Sequence, residues 1–512
     1  MVVSLQFDDS MEELVSFVEK TNPERIIEET CIRLSNGEDK KRLISAAALA
    51  VSRSTELPAS HHGGPVHPVS GIYAIDALSR RNVGESEFIP VVQSVALANK
   101  HIHSPSMGPI LLPDFETTGF EDMDAATLLE DFSNALEQRT ATLAEKYLVS
   151  LLGKVPPGQI LDSLLKIAIP RNALDDHYFL YTVFAFRAAE LFGWQYAEAI
   201  LRPPVRFLCR HPKLEHSGGE RGQIIQEGIS LYKRFAELEG RILQLGLDKA
   251  DIGIETTPME NEQIAELASE VESISRIADS AEIVMDKLVH GLSMKGVLEG
   301  LSVGGARRYL RSKTGNPFDV HLHTGINARR YLLSVDGLSQ TTRLLSLLSW
   351  GQGYEIRHLD RTLAWDPEAS SIQADGPVKA KKGQGATIEA IAASMDAQPS
   401  FDLRNLEGSI AELRAPETIF HITNIAGCYL ESGHDPMVLF EFLASDVCRD
   451  DQSEMHAYKM QQAAYEEYGN TREAFRDVHL LAAVKHAATV ARLGPRTVYP
   501  EACSVLGKVV SE

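Results

Sequence analysis

Cysteine is scarce and scattered in this 512-residue chain, and Cys31, Cys209, Cys428, Cys448 and Cys503 form no CxxC pair. That spacing excludes a disulfide framework and a cysteine-based zinc or iron–sulfur centre, and it fits a reducing cytoplasm. No run of about 18 apolar residues occurs, which leaves no membrane span. The first residues, MVVSLQFDD, lack a basic stretch followed by an apolar one, so no secretory signal is expected. Basic charge is in deficit: 50 Lys and Arg against 71 Asp and Glu give a net charge of −21. Such a balance argues against a nucleic acid or an anionic membrane as partner. There is no GxGxxG opening a helix, no Walker A loop, no HExxH, no EF-hand loop and no GxSxG elbow. Strictly alternating β-branched runs bounded by turn residues are almost absent.

What is present is helical periodicity. Met11–Arg33, Lys41–Ser52, Val69–Leu78, Phe88–Ala98, Ala125–Leu152, Ile160–Ile169, Tyr178–Phe192 and Gly222–Leu245 all place apolar residues on one face. So do Asn261–His290, Leu338–Trp350, Pro436–Cys448, Met455–Tyr468 and Arg472–Ala491. The expected fold is all-α: a multi-helical array of packed helical hairpins around an interior histidine-lined pocket. Breakers fall at Val155-Pro156-Pro157-Gly158, Arg202-Pro203-Pro204 and Ser217-Gly218-Gly219. Asp366–Ser400 is small, polar and free of aromatics, which predicts a flexible loop or flap with one short helix near Ile388. The chain therefore divides into a helical domain over 1–365, the flap over 366–400, and C-terminal helices over 401–512 packing on the same core.

Histidine carries most of the chemical information. There are 17, and many sit in short clusters. Neutral imidazole is the commonest protein metal ligand, and it titrates near neutral pH. In His61-His62-Gly63-Gly64-Pro65-Val66-His67-Pro68 the tight turn can bring His61 or His62 and His67 to one centre, or the stretch is a solvated loop before a helix. His101-Ile102-His103 presents both rings to one side only if extended, which the following Ser-Pro favours. Asp175-Asp176-His177 opens a strongly apolar helix, the acids serving as caps and His177 needing a partner. His323 and His421 each head a similar stretch with an asparagine nearby (Asn327, Asn424), as ligands, acid–base groups or polar helix ends. Ser453-Glu454-Met455-His456 reads as a capped helix start with Glu454 in the first turn, and His456 and Lys459 share a face. His479, Lys485 and His486 form one polar stripe with His479 facing inward. The two ExxH pairs, Glu355 with His358 and Glu431 with His434, lie outside long helices, which disfavours a four-helix carboxylate di-iron site.

Two stretches, Asp175–Pro212 and Ser453–Lys508, resemble segments of bacterial proteins in which a helical region is joined to a Rieske iron–sulfur domain. The histidine-led stretches HHGGPVHP, HLHTGINARRYLL and MHAYKMQQA resemble those of questin oxidase-like proteins. The resemblance covers about a third of the chain, on short motifs. It implies an all-helical enzyme that uses dioxygen on an organic substrate, and it carries over onto His62, His67, His177, His323, His421 and His456. The paired Cys-His motifs of a Rieske centre are missing, so electrons must come from a separate donor or from the substrate.

Residues and resemblance together lead to a metal-dependent oxidative enzyme with a divalent transition metal. Iron is preferred; zinc, manganese and copper are compatible with the ligand type. His61, His62, His67, His177, His456 and Glu454 are the expected ligands; His323, His421 and Lys459 are the expected catalytic groups. Tyr178, Phe179, Tyr181, Tyr331 and Tyr458 would line the pocket of a small-molecule substrate. A homodimer is compatible with a helical chain of this size. A metal-dependent or acid–base hydrolase or lyase, and a helical-repeat scaffold without catalysis, are the alternatives. An enzyme gathers the histidines in one buried place, whereas a scaffold leaves them on exposed helix starts.

Overall fold

The structure is a computed structural model that describes residues 4–58, 63–115, 117–172, 176–210, 233–353, 356, 358–361 and 386–509. The fold is all-α. Among the described residues there is no strand, only isolated bridges such as Ser4 with Pro113 and Phe401 with Leu493. No described helix is long and apolar enough to cross a membrane. His61, His62, Asp175, residues 222–232 of the expected Gly222–Leu245 helix and residues 366–385 of the expected flap lie outside the described residues.

The alanine-rich stretch becomes the helix Lys40–Ser54, capped by the Asp39 carboxylate on the Arg42 amide at 2.8 Å. Every residue from Leu43 to Ser54 is buried, because small side chains let the Asp9–Lys20, Ile72–Arg81 and Ile89–Ile102 helices close around it. The Met294–Arg311 helix, too rich in glycine to show a clean apolar stripe, packs closely on Asn261–Ser273. A Cβ on Gly300 would stand 2.6 Å from Leu267, so only glycine permits that approach. The final helix, Val498–Val509, returns to pack on Ile26–Ser35 and Ile89–Ile102. One apolar cluster thus runs from Met11 to Leu506.

Several expected long helices are broken. Met11–Arg33 is two helices, Asp9–Lys20 and Ile26–Ser35, interrupted around Pro23. Ala125–Leu152 and Asn261–His290 are likewise split. Pro203 and Pro204, expected as breakers, sit inside the helix Ala197–Arg210. Proline keeps a near-helical φ, and burial of Ile200, Leu201, Val205 and Leu208 around the pair outweighs the lost hydrogen bonds. Ile388–Asp396 is helical, capped by Thr387.

Candidate metal centre

Among the described residues, three α-helices begin on a histidine: His177–Phe192, His321–Leu333 and His456–Asn470. His67 is the second residue of the short helix Val66–Ser70. Helical side chains lean back toward the N-terminus, so a ring at the first position projects past the helix end. Where such starts meet, their imidazoles meet. The His177 helix packs on the His67 and His321 helices, and the His321 helix packs on the His456 helix.

Ring centroids are 4.6 Å apart for His67 and His456, 5.4 Å for His67 and His177, and 6.4 Å for His177 and His456. His321 adds a fourth ring, 5.2 Å from His177 and 5.8 Å from His456. All four are 6% exposed or less. Ligand nitrogens of His67, His177 and His456 lie within 4.8 Å of one another. A metal–nitrogen bond of about 2.0–2.1 Å holds a ring centroid roughly 3.2 Å from the ion, so rings sharing one ion stand about 4.5–6.4 Å apart. The observed separations fit that interval.

Hydrogen bonds settle how two rings are held. His456 Nδ1 is 2.7 Å from the Ser453 carbonyl. A carbonyl only accepts, so Nδ1 carries the proton and Nε2 keeps its lone pair. His67 lies between a carboxylate and an ammonium: Nε2 is 3.2 Å from Glu454 Oε2, and Nδ1 is 3.1 Å from Lys459 Nζ. Burial first, and the Lys459 charge second, hold His67 and His456 well below the usual imidazole range. Both rings are therefore neutral at pH 7; His456 keeps its Nε2 lone pair for a metal, whereas both His67 nitrogens are engaged, so ligation by His67 requires Lys459 or Glu454 to give way.

The local backbone serves this arrangement. Glu454 and Met455 have φ of 50° and 68°, two successive non-glycine residues in the left-handed region. Asp450 pins the turn by accepting from the Ser453 hydroxyl and amide, and Ser453 Oγ accepts from the Ala457 amide at 3.1 Å. Across from it, the Gly64 amide donates to Glu454 Oε2 at 3.3 Å. A Cβ on Gly63 would come within 2.6 Å of His67 Nε2, and Gly64 has φ 66°. The two glycines let the chain pass over His67.

Of the expected site residues, His67, His177, His456, Glu454 and Lys459 come together. Glu454 is not in a first helical turn, as expected, but in the left-handed turn before the helix, because the helix starts only at His456. His323 is buried but elsewhere: its ring is 5.8 Å from Tyr309 and 6.3 Å from His479. Residues two apart on a helix diverge by about 200°, so His321 takes the centre and His323 the opposite face. His421 is exposed on Glu417–Glu431, whose buried face is Ile419, Ile422, Thr423 and Ala426; the likeness between the His323 and His421 stretches does not bring those rings together. The expected extended His101–His103 segment is instead the end of the Ile89–Ile102 helix, with His101 buried and His103 exposed. His479, Lys485 and His486 are all buried, with Lys485 donating to the Tyr309 and Ser312 carbonyls at 2.6 Å.

His321 was missed by the sequence reasoning, although its place as first residue of a helix, like His177 and His456, is the available signal. Of the expected pocket aromatics, Tyr181 lines a small open cleft with Leu57, Pro65, Val66, Pro203 and Phe207, alongside the charged Glu56, Arg206 and Arg210. Tyr178 instead packs on Phe207, Phe179 lies beneath the Arg329 guanidinium, Tyr331 stands near Arg187, and the Tyr458 hydroxyl reaches the Cys448 carbonyl. Compared with family models, curated proteins and solved structures, the chain has no significant match.

Proposed function

We propose that His67, His177 and His456, with His321 beside them, hold a divalent transition metal, and that the chain is an oxidative enzyme acting with dioxygen on a small organic substrate. The observation that carries this reading is the burial of three imidazoles from remote segments with ligand nitrogens within 4.8 Å of one another, and a fourth ring, His321, packed beside them. An imidazole donor set suits iron, copper, zinc or manganese, and the likeness to questin oxidase-like proteins selects iron. A redox metal there supplies dioxygen binding and Lewis acidity. The protein supplies the rest. Glu454 and the Ser453 carbonyl orient the His67 and His456 rings. Lys459 holds a proton at Nζ beside His67 Nδ1. The surrounding helices keep bulk water from the rings. With no cysteine cluster in the chain, reducing equivalents come from the substrate or from a separate donor.

The line Glu454–His67–Lys459 also suits proton transfer, so a hydrolase or lyase is the second reading. A scaffold would leave these rings on separate exposed helix ends, and their burial weighs against it. The deciding experiment is elemental mass spectrometry on protein purified without chelator or histidine tag, comparing wild type with His67→Ala, His456→Ala and His421→Ala. Near-stoichiometric iron, lost in the first two variants and kept in the third, supports the oxidative reading. Zinc in the same pattern moves the protein to the second reading. No metal above background in wild type overturns the metal centre.

A further inference from the structure

We infer that Arg187, with Glu466 and Asn327, is the positioning group of the metal centre: without touching an imidazole, it fixes the four histidine segments against one another. This rests on the metal reading above and deepens it. The same four segments meet twice, once at their histidines and again further along, in one side-chain network. Arg187 lies ten residues after His177, Glu466 ten after His456, and Asn327 six after His321. The Arg187 guanidinium donates to Asn327 Oδ1 at 2.7 Å and to the two Glu466 oxygens at 2.9 and 3.1 Å. Asn327 Nδ2 closes the triangle on Glu466 Oε2 at 2.5 Å. The His67 segment joins through Ile72–Arg81, the helix that follows Val66–Ser70. Arg187 lies 4.1 Å over the Tyr73 ring, which stacks on Phe184. Arg81 donates to Gln462, which in turn donates to Glu466.

Helices that start at one place and meet again ten residues later, about 15 Å on, must run the same way. The His177 and His456 helices each pack on the His321 helix, and the Arg187 side chain ties all three. Besides His177, Arg187 is the only basic residue of the strongly apolar His177–Phe192 helix. Asn327 is buried, and Arg187 and Glu466 are 22% and 24% exposed. An ion pair at that exposure adds little to stability by itself; what it supplies is geometry. The planar guanidinium fork serves two acceptors in fixed directions, which a lysine ammonium does not. A side chain at a helix start lies about 5–6 Å from the helix axis. A turn of the helix by about 10° therefore moves its imidazole by about 1 Å, whereas a ligand must be held to within about 0.5 Å. Slack at the network is thus felt at the rings.

The test is titration of the chelator-stripped full chain with Co2+, whose visible absorption reports its coordination. The proteins are wild type, Arg187→Met, Arg187→Lys, Arg202→Met and His456→Ala. Arg202 is a buried cation paired with Glu145 and Glu198, on helices that carry no histidine of the centre, so its variant controls for loss of stability alone. Arg187→Met is expected to weaken Co2+ binding about tenfold and to shift its spectrum, and Arg187→Lys to weaken it about threefold. Arg202→Met is expected to keep wild-type affinity and spectrum despite a lower unfolding midpoint. If Arg187→Met does not fold, Arg187→Lys decides on the same terms. Wild-type affinity and spectrum in the Arg187 variants, or an equal loss in Arg202→Met, overturns the inference and leaves the metal centre standing. No Co2+ uptake by wild type, or uptake indifferent to His456→Ala, overturns the metal reading itself.

Discussion

Gly63→Ala probes the tightest contact at the centre. The added methyl carbon would lie 2.6 Å from His67 Nε2 and 3.2 Å from Glu454 Oε2. The first distance is roughly 0.8 Å inside ordinary van der Waals contact, a deep overlap on a steep repulsive wall. His67 cannot swing aside freely, because Glu454 and Lys459 hold its two nitrogens and it is 2% exposed. Gly63 does not have a left-handed φ, so alanine brings no backbone strain there and the effect is purely steric. Overpacking of this kind costs about 1–3 kcal/mol, and the ring displacement should also lower metal content. Gly469→Ala is the control: it lies in the His456 helix with nothing within 4 Å of the added carbon, and should gain about 0.5–1 kcal/mol from helix propensity. Urea unfolding and elemental analysis read both effects. Wild-type stability and full metal content in Gly63→Ala would refute the close passage of the glycine loop over His67.

Three other perturbations separate the groups around the centre. Burial pushes the Asp450 carboxyl up to about 6. Its folded pKa lies above the unfolded one, so this group favours the fold most below about pH 4, and that contribution, about 3 kcal/mol, is lost as pH rises through 4 to 6. Asp450→Asn should remove the dependence, measured as the difference in denaturant stability between pH 4.5 and 7; an unchanged difference refutes the assignment. Burial lowers His323 to about 3, and among the described residues neither of its ring nitrogens has a hydrogen-bond partner. Its folded pKa is depressed, so its contribution is present above about pH 6.5 and is lost as pH falls, at up to about 1.4 kcal/mol per pH unit. His323→Phe should flatten that acid loss while leaving metal content intact, and loss of metal would return His323 to the site. Arg329→Met strands the buried Asp176 beside His177 and should cost about 3–5 kcal/mol, with metal content falling as well; a stability change under 1 kcal/mol would show that Asp176 is not held by this pair.

How far the site could be read from sequence depended on whether helix starts were local or tertiary facts. His177 and His456 stand out because each precedes a long apolar-periodic run, and His67 because Gly63, Gly64 and Pro65 mark a turn before it. The all-helical class follows from the same periodicity. His321 and His323 are separated by one residue, and sequence offers both; only the phase of their helix decides which faces the centre, and Val320 as its cap residue sends no start signal. His421 was drawn in by a likeness of sequence to the His323 stretch, but its neighbours Ile419, Ile422 and Ala426 fix the buried face and turn the ring outward. Met294–Arg311 escaped notice because glycines at its contact face replace the apolar stripe with close backbone approach.

The turn at Glu454–Met455 links these observations. A left-handed non-glycine residue costs about 1–2 kcal/mol, and here two occur in succession. Glycine at either position would remove the cost, but at 454 it would also remove the carboxylate that reaches His67 and the Gly64 amide. Met455 is 5% exposed and packs where the chain bends back at Gly71, so its side chain is held by burial. Starting the helix one residue earlier would relieve the strain, but it would rotate His456 by about 100° away from the other rings. The backbone thus keeps an unfavourable turn in the one place where it sets both the carboxylate on His67 and the phase of the His456 helix. Strain of this kind is typically kept where the surrounding structure over-determines it, and its place beside the imidazoles agrees with the proposed metal centre.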